Sequence, residues 1–326
     1  MKARRLRATA RAALRTIAGL ALLFSVACGD GSSGLSAPVS EEIATEVRDL
    51  VDDGRAIRPN GGVYAGSPVR TLSTRIWYRL DAPPGAPACG RRGCSLVVLA
   101  HGFGGSTARF DAYARTLAAA GYVVAAPTFP LTNEAAPGGI IAGFSDVTEQ
   151  PGDLSFAIDA LFAASRDTSD PLSGRLDATR RVGLMGHSLG GATAVAETRT
   201  DCCSDDRIAA SVLVAPAVGI VSAMFGEEPS VSGPPTLLVN GTLDYAIPHD
   251  GSLAWWQTLD APAAFLSVPG AHHSDLIENV GDPAPFLEPT GIASVGLFDE
   301  YVSGADGALD AAASRLSGIG YELRER

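Results

Sequence analysis

Residues 181–191 read Arg181-Val182-Gly183-Leu184-Met185-Gly186-His187-Ser188-Leu189-Gly190-Gly191, and the rest of the chain is best read outward from them. An apolar run leads in over 182–185, and an Ala-rich run leads out over 189–198. The first has the length of a buried strand and the second that of a helix. Between them lies Gly-x-Ser-x-Gly, centred on Ser188. As a bare string this pattern is weak; the strand before it and the helix after it give it weight. A serine on a tight strand-to-helix turn needs neighbours without a Cβ, which Gly186 and Gly190 supply. The turn would lift the Ser188 hydroxyl above the sheet, beside a helix N-terminus whose amide dipoles favour negative charge. A Gly-rich turn with a helix-capping serine is the plainer alternative.

The same alternation extends in both directions. From Arg70 the pattern is strand-like, with Leu72, Ile76, Trp77, Tyr78 and Leu80 between Gly/Pro turns. Short apolar runs follow at 95–100, 123–126, 182–185, 211–215, 236–239 and 264–268. They lack polar alternation, as strands buried on both faces do. Helix-length stretches separate them at 107–120, 153–165, 189–198 and 252–258, with a last one at 297–316. A βαβ series of this kind predicts an α/β fold with a mostly parallel, doubly wound sheet flanked by helices. No second block carries its own set of strands and helices, so 41–326 is expected to be one domain. No large lid is expected; 217–233 is the only modest candidate.

The chain has 326 residues, 46% of them apolar, and a net charge of -11. Residues 1–27 hold six of the 25 basic residues and no acid, which leaves 19 basic against 36 acidic residues, a net -17. Such a surface repels phosphate backbones, so no nucleic-acid partner is expected. Lys2 is the only lysine. A chain processed after residue 27 therefore has no Schiff-base lysine, no P-loop lysine and no Ser-Lys dyad. The basic stretch from Arg4 to Arg15, the short apolar stretch from Ile17 to Val26 and the small residues Ser25-Val26-Ala27 read as an export signal. Cys28 follows at once and opens a polar run through residue 40, expected to be a flexible tether. The arrangement resembles a lipoprotein signal with Cys28 lipidated, although Ser25 stands where that motif has Leu; plain secretion is the alternative. The protein is expected to be exported, as a cell-envelope lipoprotein or a secreted protein. Membrane contact is expected only through that anchor, and the chain is expected to be monomeric. Using Cys28 for an anchor leaves Cys89, Cys94, Cys202 and Cys203 for disulfides, with three possible connectivities. No spacing suggests a metal site.

A serine hydroxyl needs a base to take its proton. After the last apolar run comes Pro269-Gly270-Ala271-His272-His273-Ser274-Asp275, which offers two histidines. His273 is the expected base and His272 the alternative. A carboxylate should orient that histidine and stabilise its cationic form. Asp244 turns off the end of the 236–239 strand and is the expected acid; Asp250 and Asp260 lie farther from the strand end. His101-Gly102-Phe103-Gly104-Gly105-Ser106 follows the 95–100 strand and offers Gly-rich backbone for an oxyanion hole. Its expected donors are the amides of Phe103 and Leu189. Phe103 is also a candidate to line the substrate pocket, or simply to pack. His101 is expected to hold the loop through its ring nitrogens and His187 to pack. Trp255 and Trp256 are either packing residues or substrate contacts.

At this point the chain resembles the α/β-hydrolase superfamily. More narrowly it resembles the bacterial branch of dienelactone hydrolase-like proteins, platelet-activating-factor-acetylhydrolase-like esterases, chlorophyllases and cutinase-like polyester hydrolases. The likeness runs through Thr74-Arg75-Ile76-Trp77-Tyr78, His101-Gly102-Phe103-Gly104-Gly105 and Gln150-Pro151-Gly152-Asp153. It continues in Gly186-His187-Ser188-Leu189-Gly190-Gly191, Gly241-Thr242-Leu243-Asp244, Gly270-Ala271-His272-His273 and Leu297-Phe298-Asp299-Glu300-Tyr301. Dienelactone hydrolases proper use a cysteine where this chain has Ser188. The resemblance implies hydrolysis of small or polymeric carboxylic esters without a cofactor. A cutinase-like polyester hydrolase or lipase is the narrower alternative. A non-catalytic, membrane-tethered binding protein on a hydrolase scaffold is the alternative of another class.

Overall fold

A computed structural model describes residues 43–81, 86–179, 181–278 and 285–326. The expected export signal, Cys28 and the tether at 28–40 lie outside the described residues. The rest belongs to one unit, Glu41–Arg326. In chain order the strands are β1 (Ile43–Asp52), β2 (Arg70–Arg79), β3 (Cys89–Gly90), β4 (Gly93–Cys94), β5 (Leu96–Ala100), β6 (Val123–Pro127), β7 (Val182–His187), β8 (Ile208–Val214), β9 (Thr236–Gly241), β10 (Ala263–Val268) and β11 (Leu323–Glu325). The helices are α1 (Asp111–Ala119), α2 (Gln150–Arg166), α3 (Leu189–Arg199), α4 (Val221–Phe225), α5 (His249–Trp256), α6 (Leu287–Tyr301) and α7 (Ala308–Gly318).

Nine strands form one sheet in the order β1-β2-β6-β5-β7-β8-β9-β10-β11. The six from β6 to β10 in that order are parallel; β1, β2 and β11 join antiparallel at the two ends. Every residue of β5, β6, β7, β8 and β9 is buried, which explains their unbroken apolar runs. Helices α1, α6 and α7 pack on one face through residues such as Tyr113, Leu297, Phe298 and Leu316. Helices α2, α3 and α5 cover the other through Leu154, Ile158, Val195 and Trp256. The sheet is thus doubly wound. The chain enters its parallel part at β5, turns to β6 on one side, then crosses back to β7 on the other. Such a reversal opens a crevice at the carboxyl ends of the strands.

One expectation needs correction. The helix expected over 297–316 is two helices: α6 begins ten residues earlier and ends at Tyr301, and α7 starts at Ala308. Gly304 and Gly307 both have positive φ (76° and 78°), which breaks the helical path. Strands β1 and β11 have no counterpart among the expected strands. In β1 charged residues occupy both faces, so no clean alternation marks it: Glu46 and Arg48 share a side with the buried Leu50, while Val47 and Val51 face solvent. The sequence also left disulfide pairing open; Cys89 pairs with Cys94, and Cys202 with its neighbour Cys203.

Beneath α2 lies a buried ion cluster. Arg70, from β2, is wholly buried and grips two carboxylates: Asp146 at 2.7 and 3.0 Å, and Asp153 at 2.5 and 2.6 Å. Removing one member of such a cluster strands the others without water. Arg70→Met should cost about 3–5 kcal/mol, read as a lower urea midpoint; Arg324→Ala, an exposed pair, should shift it by less than about 0.5 kcal/mol.

Candidate active site

Three strand ends at the carboxyl edge carry the expected residues. Ser188 directly follows β7, Asp244 follows β9, and His273 follows β10. Ser188 has φ 55° and ψ -117°, a conformation a serine rarely adopts. Close packing requires the glycines around it: a Cβ on Gly186 would sit 2.2 Å from the Gly190 oxygen, and one on Gly190 would sit 2.1 Å from the Ala100 oxygen. Backbone bonds hold the turn in place. The Ser188 amide donates to Val214, and its carbonyl accepts from Ala192 and Ala217.

Asp244 is buried, and both of its oxygens are engaged. Oδ2 accepts from His273 Nδ1 at 2.7 Å, and Oδ1 accepts from the amides of Ala246 and Ile247 at 2.9 and 2.8 Å. Burial alone would push this carboxyl up. Hydrogen bonds from His273, Ile247 and Ala246, with the adjoining imidazole, together hold it below the usual carboxylate range. An ionised partner at Nδ1 places the ring proton there and leaves Nε2 free to accept one. His273 and Ser188 line the same cavity, of about 110 Å³, together with His101, Gly102 and Phe103. The ion pair Arg109–Glu278 also borders it. His272 points elsewhere: its Nδ1 donates to the Leu243 carbonyl, and its ring faces Tyr245.

The 101–105 loop lies across from Ser188. A Cβ on Gly102 would stand 3.0 Å from the Ser188 Cβ. The amides of Gly104 and Gly105 are already used, on Thr132 and Gly102, whereas among the described residues that of Phe103 meets no acceptor. Leu189 is the first residue of α3, so its amide is one of those a helix leaves without an internal partner. His101 braces the loop: Nδ1 donates to the Gly102 carbonyl, and Nε2 accepts from the Phe129 amide. Trp256 is buried against Phe265; Trp255 borders a separate apolar cavity with Pro216, Val218 and Ile247.

Spacing alone did not reveal the part played by His187. It donates Nε2–H to the backbone carbonyl of His273 at 2.9 Å, and the two rings lie 4.7 Å apart. The residue beside the serine thereby pins the loop that carries the histidine. Burial holds both His187 and His101 down to about 4. Each is neutral in the folded protein but titrates near 6.5 when unfolded. The unfolded chain therefore takes up protons between pH 6.5 and 4 that the native state refuses. This contribution to stability is complete above pH 6.5 and is lost as pH falls toward 4, at up to roughly 1.4 kcal/mol per pH unit per histidine. Urea midpoints should fall over that window, and His187→Gln should flatten the slope.

A family model described as the alpha/beta hydrolase family matches residues 97–324. No curated protein matches at a significant level. The matched region runs from β5 into β11 and takes in all three strand ends just described. Sheet order, helix placement and family match agree: the chain belongs to the alpha/beta hydrolase family, and by class it is a hydrolase.

Proposed function

We propose that this protein is an exported serine hydrolase that cleaves carboxylic esters through an acyl-enzyme. The observation that carries this reading is the 2.7 Å bond from His273 Nδ1 to a buried Asp244, on a ring that shares one cavity with a serine held in a strained turn. His273 Nε2 removes the Ser188 proton as Oγ attacks the ester carbonyl. The carbonyl oxygen becomes an oxyanion, held by the amides of Phe103 and Leu189. Collapse breaks the bond to the alkoxy group, which leaves as an alcohol carrying the proton from His273. Water then attacks the acyl-serine, again giving its proton to His273. The acid departs and Ser188 recovers its hydrogen. Asp244 fixes the tautomer throughout and stabilises the imidazolium. No step calls for a cofactor.

The small cavity supports a short acyl group, since about 110 Å³ falls well below the usual span of pockets for drug-sized ligands. Phe103, Leu243 and Tyr245 are exposed around the site, and this favours a second substrate class, polymeric esters lying across an open cleft, as in cutinase-like enzymes. Export, with Cys28 as a lipid anchor, rests on the sequence of the first 28 residues.

Ser188→Ala should abolish turnover of p-nitrophenyl esters and labelling by a fluorophosphonate; Asp244→Asn should lower kcat by roughly 10⁴. A folded wild type that takes no label would refute the reading. In the same assay, acetate and butyrate esters should turn over faster than palmitate, and release of monomers from a polyester film tests the polymeric class. Cys28→Ser should shift the protein from the membrane fraction to the soluble one; an unchanged distribution would refute the anchor.

A further inference from the structure

We propose that Gln150 is a positioning residue that ties the two sides of the oxyanion-binding notch to each other, and so governs the rate of acyl transfer rather than substrate binding. The inference rests on the serine-hydrolase reading above.

The two proposed donors sit on separate segments. Phe103 belongs to the loop after β5, and Leu189 opens α3. A pair of donors stabilises an oxyanion only when both lie about 2.7–3.1 Å from where the charge develops. Something must therefore hold the two segments in register. Gln150, the first residue of α2, is wholly buried between them. Its Nε2 donates to Thr132 Oγ1 at 2.8 Å, and Thr132 in turn accepts the Gly104 amide on its carbonyl at 2.7 Å. Gly104 is the residue next to Phe103. On the other side, Gln150 Oε1 accepts from Thr193 Oγ1 at 2.5 Å. Thr193 lies one turn into α3, with its hydroxyl 3.3 Å from the Leu189 carbonyl. The path from Phe103 to Leu189 thus runs through Gly104, Thr132, Gln150 and Thr193.

Chemistry suits the residue to this task. A primary amide presents a donor NH2 and an acceptor oxygen side by side in one rigid plane. An aliphatic side chain offers neither, and an ionised carboxylate offers no donor. Thr132 and Thr193 are also wholly buried, so water does not compete for these bonds. The anchor itself is firm. Asp146 and Asp153 lie four residues before and three after Gln150, and Arg70 clamps both.

The experiment compares Gln150→Leu, Thr193→Val, the double variant, Thr193→Ser and Gln150→Glu on p-nitrophenyl acetate, with circular dichroism to confirm folding. Gln150→Leu and Thr193→Val should each lower kcat by about 10- to 100-fold with KM within about twofold. The double variant should be little worse than either single one, because both break the same path. Thr193→Ser keeps the hydroxyl and should retain near-full kcat. Gln150→Glu can keep both links, because the Thr132 and Thr193 hydroxyls can each donate to its carboxyl. Its kcat should therefore exceed that of Gln150→Leu by about 10-fold or more, a rescue that a mere packing role would not produce. Folded Gln150→Leu with kcat within twofold of wild type, losses that multiply in the double variant, or a loss confined to KM would each overturn the proposal. If Gln150→Leu does not fold, the Thr193→Val and Thr193→Ser pair decides by the same thresholds. An active, labelled wild type with an unaffected Gln150→Leu refutes this inference alone. A wild type that neither turns over ester nor takes the label refutes the serine-hydrolase reading, and this inference with it.

Discussion

The structure turns on one strained residue. Ser188 is held at positive φ, an arrangement that costs about 1–3 kcal/mol and persists only when its surroundings over-determine it. Here they do. The turn is wedged between Ala100 at the end of β5 and Pro216 after β8, at distances that leave no room for a side chain on Gly190 or Gly191. Because β7 lies between β5 and β8, one wall of the wedge is the last residue of β5 and the other is the buried segment two residues past the end of β8. The strain is met by the buried centre of the sheet, and Ser188 borders the cavity.

Several buried polar side chains hold separate segments together near the carboxyl edge of the sheet. His101 joins the β5 loop to the segment after β6, and His187 joins the Ser188 turn to the His273 loop. Gln150 links two segments, and Arg70 locks the start of α2 to β2. Each of these is buried and hydrogen-bonded at both ends, as a polar group in a dry interior must be. A further buried network, Arg199 to Thr236 to Ser211, ties α3 to β8 and to the opposite end of β9. Precision at the edge therefore comes from directional bonds rather than from packing alone.

Much of the fold could be read from the chain in advance. The six central strands were legible because burial on both faces forces unbroken apolar runs, and the helices between them because Ala-rich stretches of sufficient length separate those runs. The outer strands β1 and β11 were not legible. An edge strand with charge on both faces has no periodic signature, and a three-residue strand is too short to have one. The break between α6 and α7 was marked only by Gly304 and Gly307, which read equally well as tolerated helix glycines until the backbone shows them at positive φ. At the site, Ser188, Asp244 and the His272-His273 loop could be found because each follows a strand directly. His273 is the histidine expected from the sequence, with His272 the alternative; adjacent residues in a loop point in unrelated directions, and of the two it is His273 that bonds to Asp244.

The sequence by itself determined the strand–turn–helix around Ser188, the α/β layering and the order of the candidate residues. Those properties depend on local conformational preference and on the pattern of apolar residues, which are written along the chain. Only the tertiary structure decided which imidazole meets the carboxylate, how the four paired cysteines join, and which buried side chains bridge the loops. Those properties depend on distances between residues that are remote in sequence, and hydrogen bonds and disulfides form by proximity in space, which no local pattern encodes.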